Sequence, residues 1–289
     1  MANLRKAIPE NVAGNYYVDS TCINCGVSRH YAPEIFGDTG DYAYVRQQPR
    51  TASEESAAQR ALLSCPTSSI GMREKLDLTA ARKSFPLAMT DSVFLNGFNH
   101  RDSYGAHSYF IKSETGNWLV DSPRFVPDLV RKFEALGGVR YIFLTHRDDV
   151  CDAHRYARHF AARRIIHRLD ADAQPDAEII LDGEAVYRTD SGEIHYTPGH
   201  TAGHLVLLWE SRYLFTGDHF AWDASRDRFT SFRDACWHSW EMQITSVEKM
   251  EPFRDVEWVF PGHGKWARVE KGTFPEIIRQ SVQWMRSVK

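Results

Sequence analysis

Several familiar features are missing from this 289-residue chain. No run of about 18 apolar residues occurs, which excludes a membrane-spanning helix. No long basic run occurs either, and the formal net charge is −3, so no nucleic-acid surface is expected. The segment Met1 to Glu10 is polar and lacks an apolar core. No signal peptide is expected there, and a cytoplasmic protein without membrane partners is. Cysteine is scarce: five residues, at 22, 25, 65, 151 and 236. Their odd number and irregular spacing exclude a disulfide framework. In a reducing compartment they read as metal ligands, reactive thiols or small core residues. Fixed-period repeats and low-complexity tracts are absent too. What is present is 43% hydrophobic, enough to build the core of one large domain, or of a domain plus a small module.

Residues 1–71 form the expected small module. Asn15 to Val18 reads as a short strand. Cys22-Ile-Asn-Cys25 follows, then Arg29 to Phe36, and then a helix over Ser53 to Leu63 that ends at Ser64-Cys65-Pro66. Ser53 and Ser56 are the expected caps of that helix, with Glu54 and Glu55 in its first turn. A zinc ribbon is disfavoured because a second Cys-x-x-Cys pair is missing. A thioredoxin-like dithiol is disfavoured because no βαβ unit surrounds the pair.

Met72 to Ser84 reads as a linker, and residues 85–289 as the large domain. Strands are expected over 107–113, 117–121, 164–167, 185–189, 193–197, 205–209 and 213–216. Helices are expected over 126–136, 153–163, 240–250 and 275–288. The organising stretch is Tyr141-Ile-Phe-Leu-Thr-His146-Arg-Asp148-Asp149-Val-Cys151-Asp-Ala-His154. A buried strand here breaks into metal-capable side chains just before a helix, as at the strand-end crevices where α/β proteins build sites. Three more stretches place such residues after apolar strands: Pro198-Gly-His200-Thr-Ala-Gly-His204, Thr216-Gly-Asp218-His219 and Pro261-Gly-His263. His219 and His238 are candidates for a pocket rim, and the aromatics Phe229, Phe232, Trp237 and Trp240 read as core. Asp121 would hold a turn or orient a ligand histidine.

Two resemblances follow from these motifs. The module resembles the small bacterial single-cluster ferredoxins, through Cys22-x-x-Cys25, Ala32-Pro-Glu-Ile-Phe36 and Cys65-Pro-Thr67. It implies an iron–sulfur site of Cys22, Cys25, Ser28 and Cys65. Ser28 stands where the family has cysteine, which leaves a 4Fe-4S cluster, a 3Fe-4S cluster and an emptied packing module as alternatives. The remainder resembles the metallo-β-lactamase-fold hydrolases of the glyoxalase II and lactonase branch. That resemblance implies an α+β chain: a four-layer αββα sandwich preceded by the small ferredoxin-like α+β domain. It also implies metal ligands His146, Asp148, His200, Asp218 and His263, with Cys151 as a substitute ligand. His146, Asp148 and Asp218 would act in catalysis, and His204 and Asp149 would support the ligands. The family's His-x-His-x-Asp-His reads here with Asp148 for the second His, Val150 for the Asp and Cys151 for the last His. One well-formed zinc or iron site is therefore expected rather than two.

The expected activity is hydrolysis of an ester, thioester or lactone-type small molecule. One alternative is a non-heme iron oxidoreductase fed by the module or a redox partner, because oxygen ligands beside imidazoles favour iron. The flavodiiron branch of this fold similarly replaces the second His by a carboxylate. The other alternative is a non-catalytic metal-binding or sensory protein.

Overall fold

The computed structural model describes residues 2–288. The chain forms two compact units, Met1–Phe110 with Pro123–Gly137, and Ile111–Ser122 with Gly138–Lys289.

In the first unit, strand Tyr16–Val18 pairs antiparallel with Ile70–Met72, and Phe36–Asp38 pairs with Ala43–Val45. Helices Val27–Tyr31 and Ala52–Ser64 pack on them. The core holds Tyr16, Val18, Ile35, Phe36, Val45 and Ala58. The Asn11 carboxamide oxygen accepts from the amides of Val18 and Val45, both at 3.0 Å. One side chain thereby joins two strands that do not pair with each other.

The long helix corrects the expected caps. It begins at Ala52, so Thr51 is the N-cap, with reciprocal bonds between Thr51 and Glu54. Ser53 and Ser56 lie inside the helix, past the cap position. The expected linker carries a helix, Thr79–Ser84, which buries Ala81. Apolar packing extends past it. Phe85 meets Tyr31 at 6.0 Å and Phe98 at 5.1 Å between ring centroids, and Arg124 Nη2 donates to the Leu63 carbonyl at 2.5 Å. Helix Pro127–Ala135 stacks Phe133 on Phe110 at 4.8 Å.

In the second unit, Trp118–Val120, Tyr141–Phe143, Arg163–His167 and Ile179–Leu181 lie side by side and parallel. Helix Ala153–Phe160, shorter than expected, packs on Arg163–His167. The strands at 107–113 and 117–121 also shorten, to Tyr109–Ile111 and Trp118–Val120. A second sheet runs Tyr187–Arg188, Gly192–Tyr196, Leu205–Trp209, Tyr213–Gly217, Trp258–Pro261 and Ala267–Arg268 in spatial order. Trp118 of the first set meets Trp209 of the second edge to face at 5.5 Å. Helices Trp240–Glu248 and Phe274–Ser287 cover the other face of the second sheet, burying Val247, Ile278 and Met285 against Val206, Leu214 and Val259.

One pairing decides where chemistry can occur. Tyr213–Gly217 and Trp258–Pro261 run parallel, with Gly217 opposite Pro261. Their C-terminal ends therefore emerge together and deliver Asp218 and His263 to the same edge.

Candidate metal centre

Four strand ends build the centre. The stretch after Tyr141–Phe143 supplies His146, Asp148 and Asp149. The hairpin loop between Gly192–Tyr196 and Leu205–Trp209 supplies His200. Asp218 and His263 follow the parallel pair. Asp218 Oδ2 lies 3.6 Å from His146 Nε2, 3.7 Å from His200 Nε2 and 3.7 Å from His263 Nε2. Asp148 Oδ2 lies 3.8 Å from both His146 Nε2 and His200 Nε2. These separations are too long for hydrogen bonds. They suit ligands that each sit about 2.1 Å from a shared ion, which places ligand atoms roughly 3 to 4 Å apart.

Burial sharpens the argument. His146 Nε2, His200 Nε2, Asp218 Oδ1 and both carboxylate oxygens of Asp149 are buried without a hydrogen-bond partner. Each such atom costs about 1–3 kcal/mol if left so, and all of them converge on one point. Two sets of ligand atoms lie close enough to share an ion: His146 with Asp148 and His200, and His146 with Asp149 and Asp218. Among the described residues Cys151 belongs to neither set.

The surroundings fix these groups. Asp121 accepts from the Thr145 amide at 2.8 Å and from its hydroxyl at 2.9 and 3.0 Å. The Thr145 hydroxyl lies 3.0 Å from His146 Nδ1. Its one proton goes to Asp121, so it accepts from Nδ1–H, and that tautomer leaves the Nε2 lone pair free for a metal. Desolvation lowers the His146 imidazole to about 4, which keeps the ring neutral. Burial raises the Asp121 carboxyl, and the Thr145 amide and hydroxyl bonds pull it back down and hold it as their acceptor.

Asp170, which the sequence did not single out, clamps the loops. It accepts from Thr201 Oγ1 at 2.5 Å, from the Gly203 amide at 3.0 Å and from the Arg147 amide at 3.2 Å. Its only signal was a carboxylate just past an apolar strand. Gly262 permits the close approach of two carboxylates, since a Cβ there would lie 2.5 Å from Asp218 Oδ1 and 2.9 Å from Asp149 Oδ2.

His204 stacks beside His146 at 5.1 Å and bonds Thr197 Oγ1 at 3.2 Å through Nδ1. His219 corrects an expectation. It is fully buried behind His204, with ring centroids 5.0 Å apart, and does not line a rim. Desolvation there drives its imidazole down to about 3. Trp237 corrects another. Phe229 and Trp240 are core, but Trp237 is 68% exposed. Its ring stands 6.3 Å from that of His200, and the amides of Trp237 and His238 both donate to the His200 carbonyl, at 3.0 and 3.1 Å. The strap is completed by Cys236 Sγ and the Ser239 amide, both bonded to the Gly199 carbonyl.

The fold is that of the metallo-β-lactamases. A metallo-β-lactamase from Hirschia baltica superposes with a TM-score of 0.55 at 17% identity, over 69% of this chain and 96% of that one. One from Pontibacter korlensis gives 0.54 at 14% identity, over 70% and 98%. The FIM-1 enzyme of Pseudomonas aeruginosa in its mono-zinc form gives 0.55 at 18%, over 69% and 93%. In sequence, the chain is similar to a hydroxyacylglutathione hydrolase of Anaeromyxobacter dehalogenans (strain 2CP-C), 31% identical over an alignment of 128 residues that covers 42% of this chain. The chain spans about half of that relative's length, 49%. Residues 18–72 match the 4Fe-4S single cluster domain of ferredoxin I. No described helix is long and apolar enough to cross a membrane.

Proposed function

We propose that this protein is a metal-dependent hydrolase of ester, thioester or lactone carbonyls in small molecules. The observation that carries the proposal is the near-equal spacing of three imidazole nitrogens around one oxygen of Asp218. A primary ion would be held by His146, Asp148, His200 and Asp218. Asp149, Asp218 and His263 would form a weaker second position, with Asp149 taking the part of the carboxylate lost at Val150. A metal there supplies Lewis acidity and activates water, the two requirements of carbonyl hydrolysis. The chain's own residues do the rest. Asp121 and Thr145 hold the His146 tautomer, Asp170 holds the loops, and Trp237 offers an exposed aromatic face beside His200 for an apolar portion of the substrate.

Three carboxylates among six donors form an oxygen-rich set, which suits iron or manganese more than zinc. That donor set also supports the second reading, a non-heme iron oxidoreductase. One experiment separates the two. Protein loaded in turn with zinc, manganese and iron is assayed on an S-acylglutathione thioester, a lactone and an aryl ester, with oxygen uptake followed in parallel. Metal-dependent hydrolysis that disappears in His200→Ala together with the bound metal is the expected result. Oxygen uptake without hydrolysis would transfer the site to the second reading.

A further inference from the structure

The sulfur-bearing module raises a separate question, independent of the hydrolase proposal. Cys22, Cys25, Ser28 and Cys65 line one cavity, walled by apolar side chains that include Val27 and Ile70. The donor set fits a cluster and not a single ion. Four thiolates on one zinc sit about 3.8 Å apart, at bonds of about 2.3 Å. Among the described residues, no trio of ligand atoms within 4.8 Å of one another includes a cysteine. The backbone is arranged for sulfur that carries charge: the Asn24 amide donates to Cys22 Sγ at 3.4 Å and the Ser69 amide to Cys65 Sγ at 3.2 Å. Such bonds are a recurrent means of stabilising and tuning iron–sulfur centres.

The fourth corner differs. Ser28 is 8% exposed and sits in the first turn of helix Val27–Tyr31. An alkoxide there would need a neighbouring cation or base; the cavity lining itself contains no lysine, arginine or histidine, and the adjoining Arg29 is paired with Asp38 at 3.0 Å. A neutral hydroxyl is a far weaker iron ligand than a thiolate. The same apolar wall that would stabilise a neutral cluster edge gives a fourth iron no anionic donor.

We infer that the module carries a three-iron, four-sulfide cluster held by Cys22, Cys25 and Cys65, with the iron-free corner facing Ser28. The matched ferredoxin domain is described as a 4Fe-4S one, so the departure is a property of this chain. The test uses full-length protein purified without air, read by inorganic sulfide and electron paramagnetic resonance. Inorganic sulfide is blind to iron held at the histidine–aspartate centre, and a single ferric ion there gives a high-spin signal rather than a half-spin one. As isolated and oxidised, the protein should show the half-spin signal of a three-iron cluster, and dithionite should abolish it. Ser28→Ala should leave sulfide content and signal unchanged. Ser28→Cys should silence the oxidised form and give a half-spin signal only after reduction, the behaviour of a four-iron cube. An oxidised wild type that holds sulfide but is silent would overturn the inference. So would protein lacking sulfide, or a Ser28→Ala variant that changes the spectrum. If Ser28→Cys does not fold, wild type and Ser28→Ala still decide.

Discussion

Among single residues, Asp121 has the clearest consequence, because it touches no metal position itself. It acts on His146 only through the Thr145 hydroxyl. Asp121→Asn presents a donor where Thr145 needs an acceptor, and the tautomer of His146 loses its enforcement. Metal affinity should fall by about 10–100-fold while the fold persists, as measured by competition with a chromogenic chelator. Trp237→Ala makes the opposite kind of change. Metal content should stay intact, and KM for aryl or long-chain esters should rise several-fold, with kcat changing less. An equal loss on acetyl and aryl substrates would remove Trp237 from substrate contact. At this scale the sequence was legible where one residue follows one strand: His146, His200, Asp218 and His263 are found by counting from an apolar run. Asp149 was harder to place, for a geometric reason. Arg147–Asp149 forms a 3-10 turn and Cys151 has φ of +30°. The tighter winding rotates Asp149 inward, so a motif counted in linear frame looks for its carboxylate at Val150.

At the level of elements, strand Arg163–His167 shows how an edge is secured. Arg164 is nearly buried and bonds Glu178 at 2.8 and 3.1 Å, with further bonds to Gln174 and Asp176. Burial alone would raise the Glu178 carboxyl, but the Arg164 bonds outweigh it and hold Glu178 below its usual value of 4.5. A carboxylate lowered in the native state contributes stability above its unfolded pKa, and that stability is lost as pH falls through the native one. Urea midpoints should therefore drop from pH 5 downward in the wild type, and this acid limb should be shallower in Glu178→Gln. Arg164→Met should lower the urea midpoint at pH 7, chiefly by leaving the buried Gln174 carboxamide oxygen without its donor. Equal acid limbs in wild type and Glu178→Gln would show that the pair is inert. Most helices and the longer strands were visible in their periodicity. Several of the two- and three-residue strands, such as Phe36–Asp38 and Ala267–Arg268, were not, because so short a segment carries no period to read.

Across the whole molecule, the change in sequence character near residue 71 does not coincide with an end to packing. The His30 and His107 rings meet at 2.9 Å through Nδ1 and Nε2, Tyr31 packs on Phe85, and Arg124 caps the Leu63 carbonyl. A fragment of residues 85–289 should therefore be insoluble or melt well below the full chain, as judged by soluble yield and gel filtration. A fragment that stays monomeric and equally stable would mean these contacts contribute nothing. Such contacts were illegible in the sequence, because they join residues far apart that share no motif. One of them constrains how the protein can be made. Gly105, at φ +88°, lies so close that a Cβ would be 3.0 Å from Cys25 Sγ, and the Tyr104 hydroxyl donates to the Ile23 carbonyl. This loop leaves the ribosome after the last cluster cysteine and closes over the sulfur site once folded. For the cluster inferred above, iron and sulfide would have a window set by translation: they would enter while the chain is still growing, or wait for the finished protein to breathe open. Chains made during iron starvation should stay empty long after iron returns, and only new synthesis should restore the colour quickly.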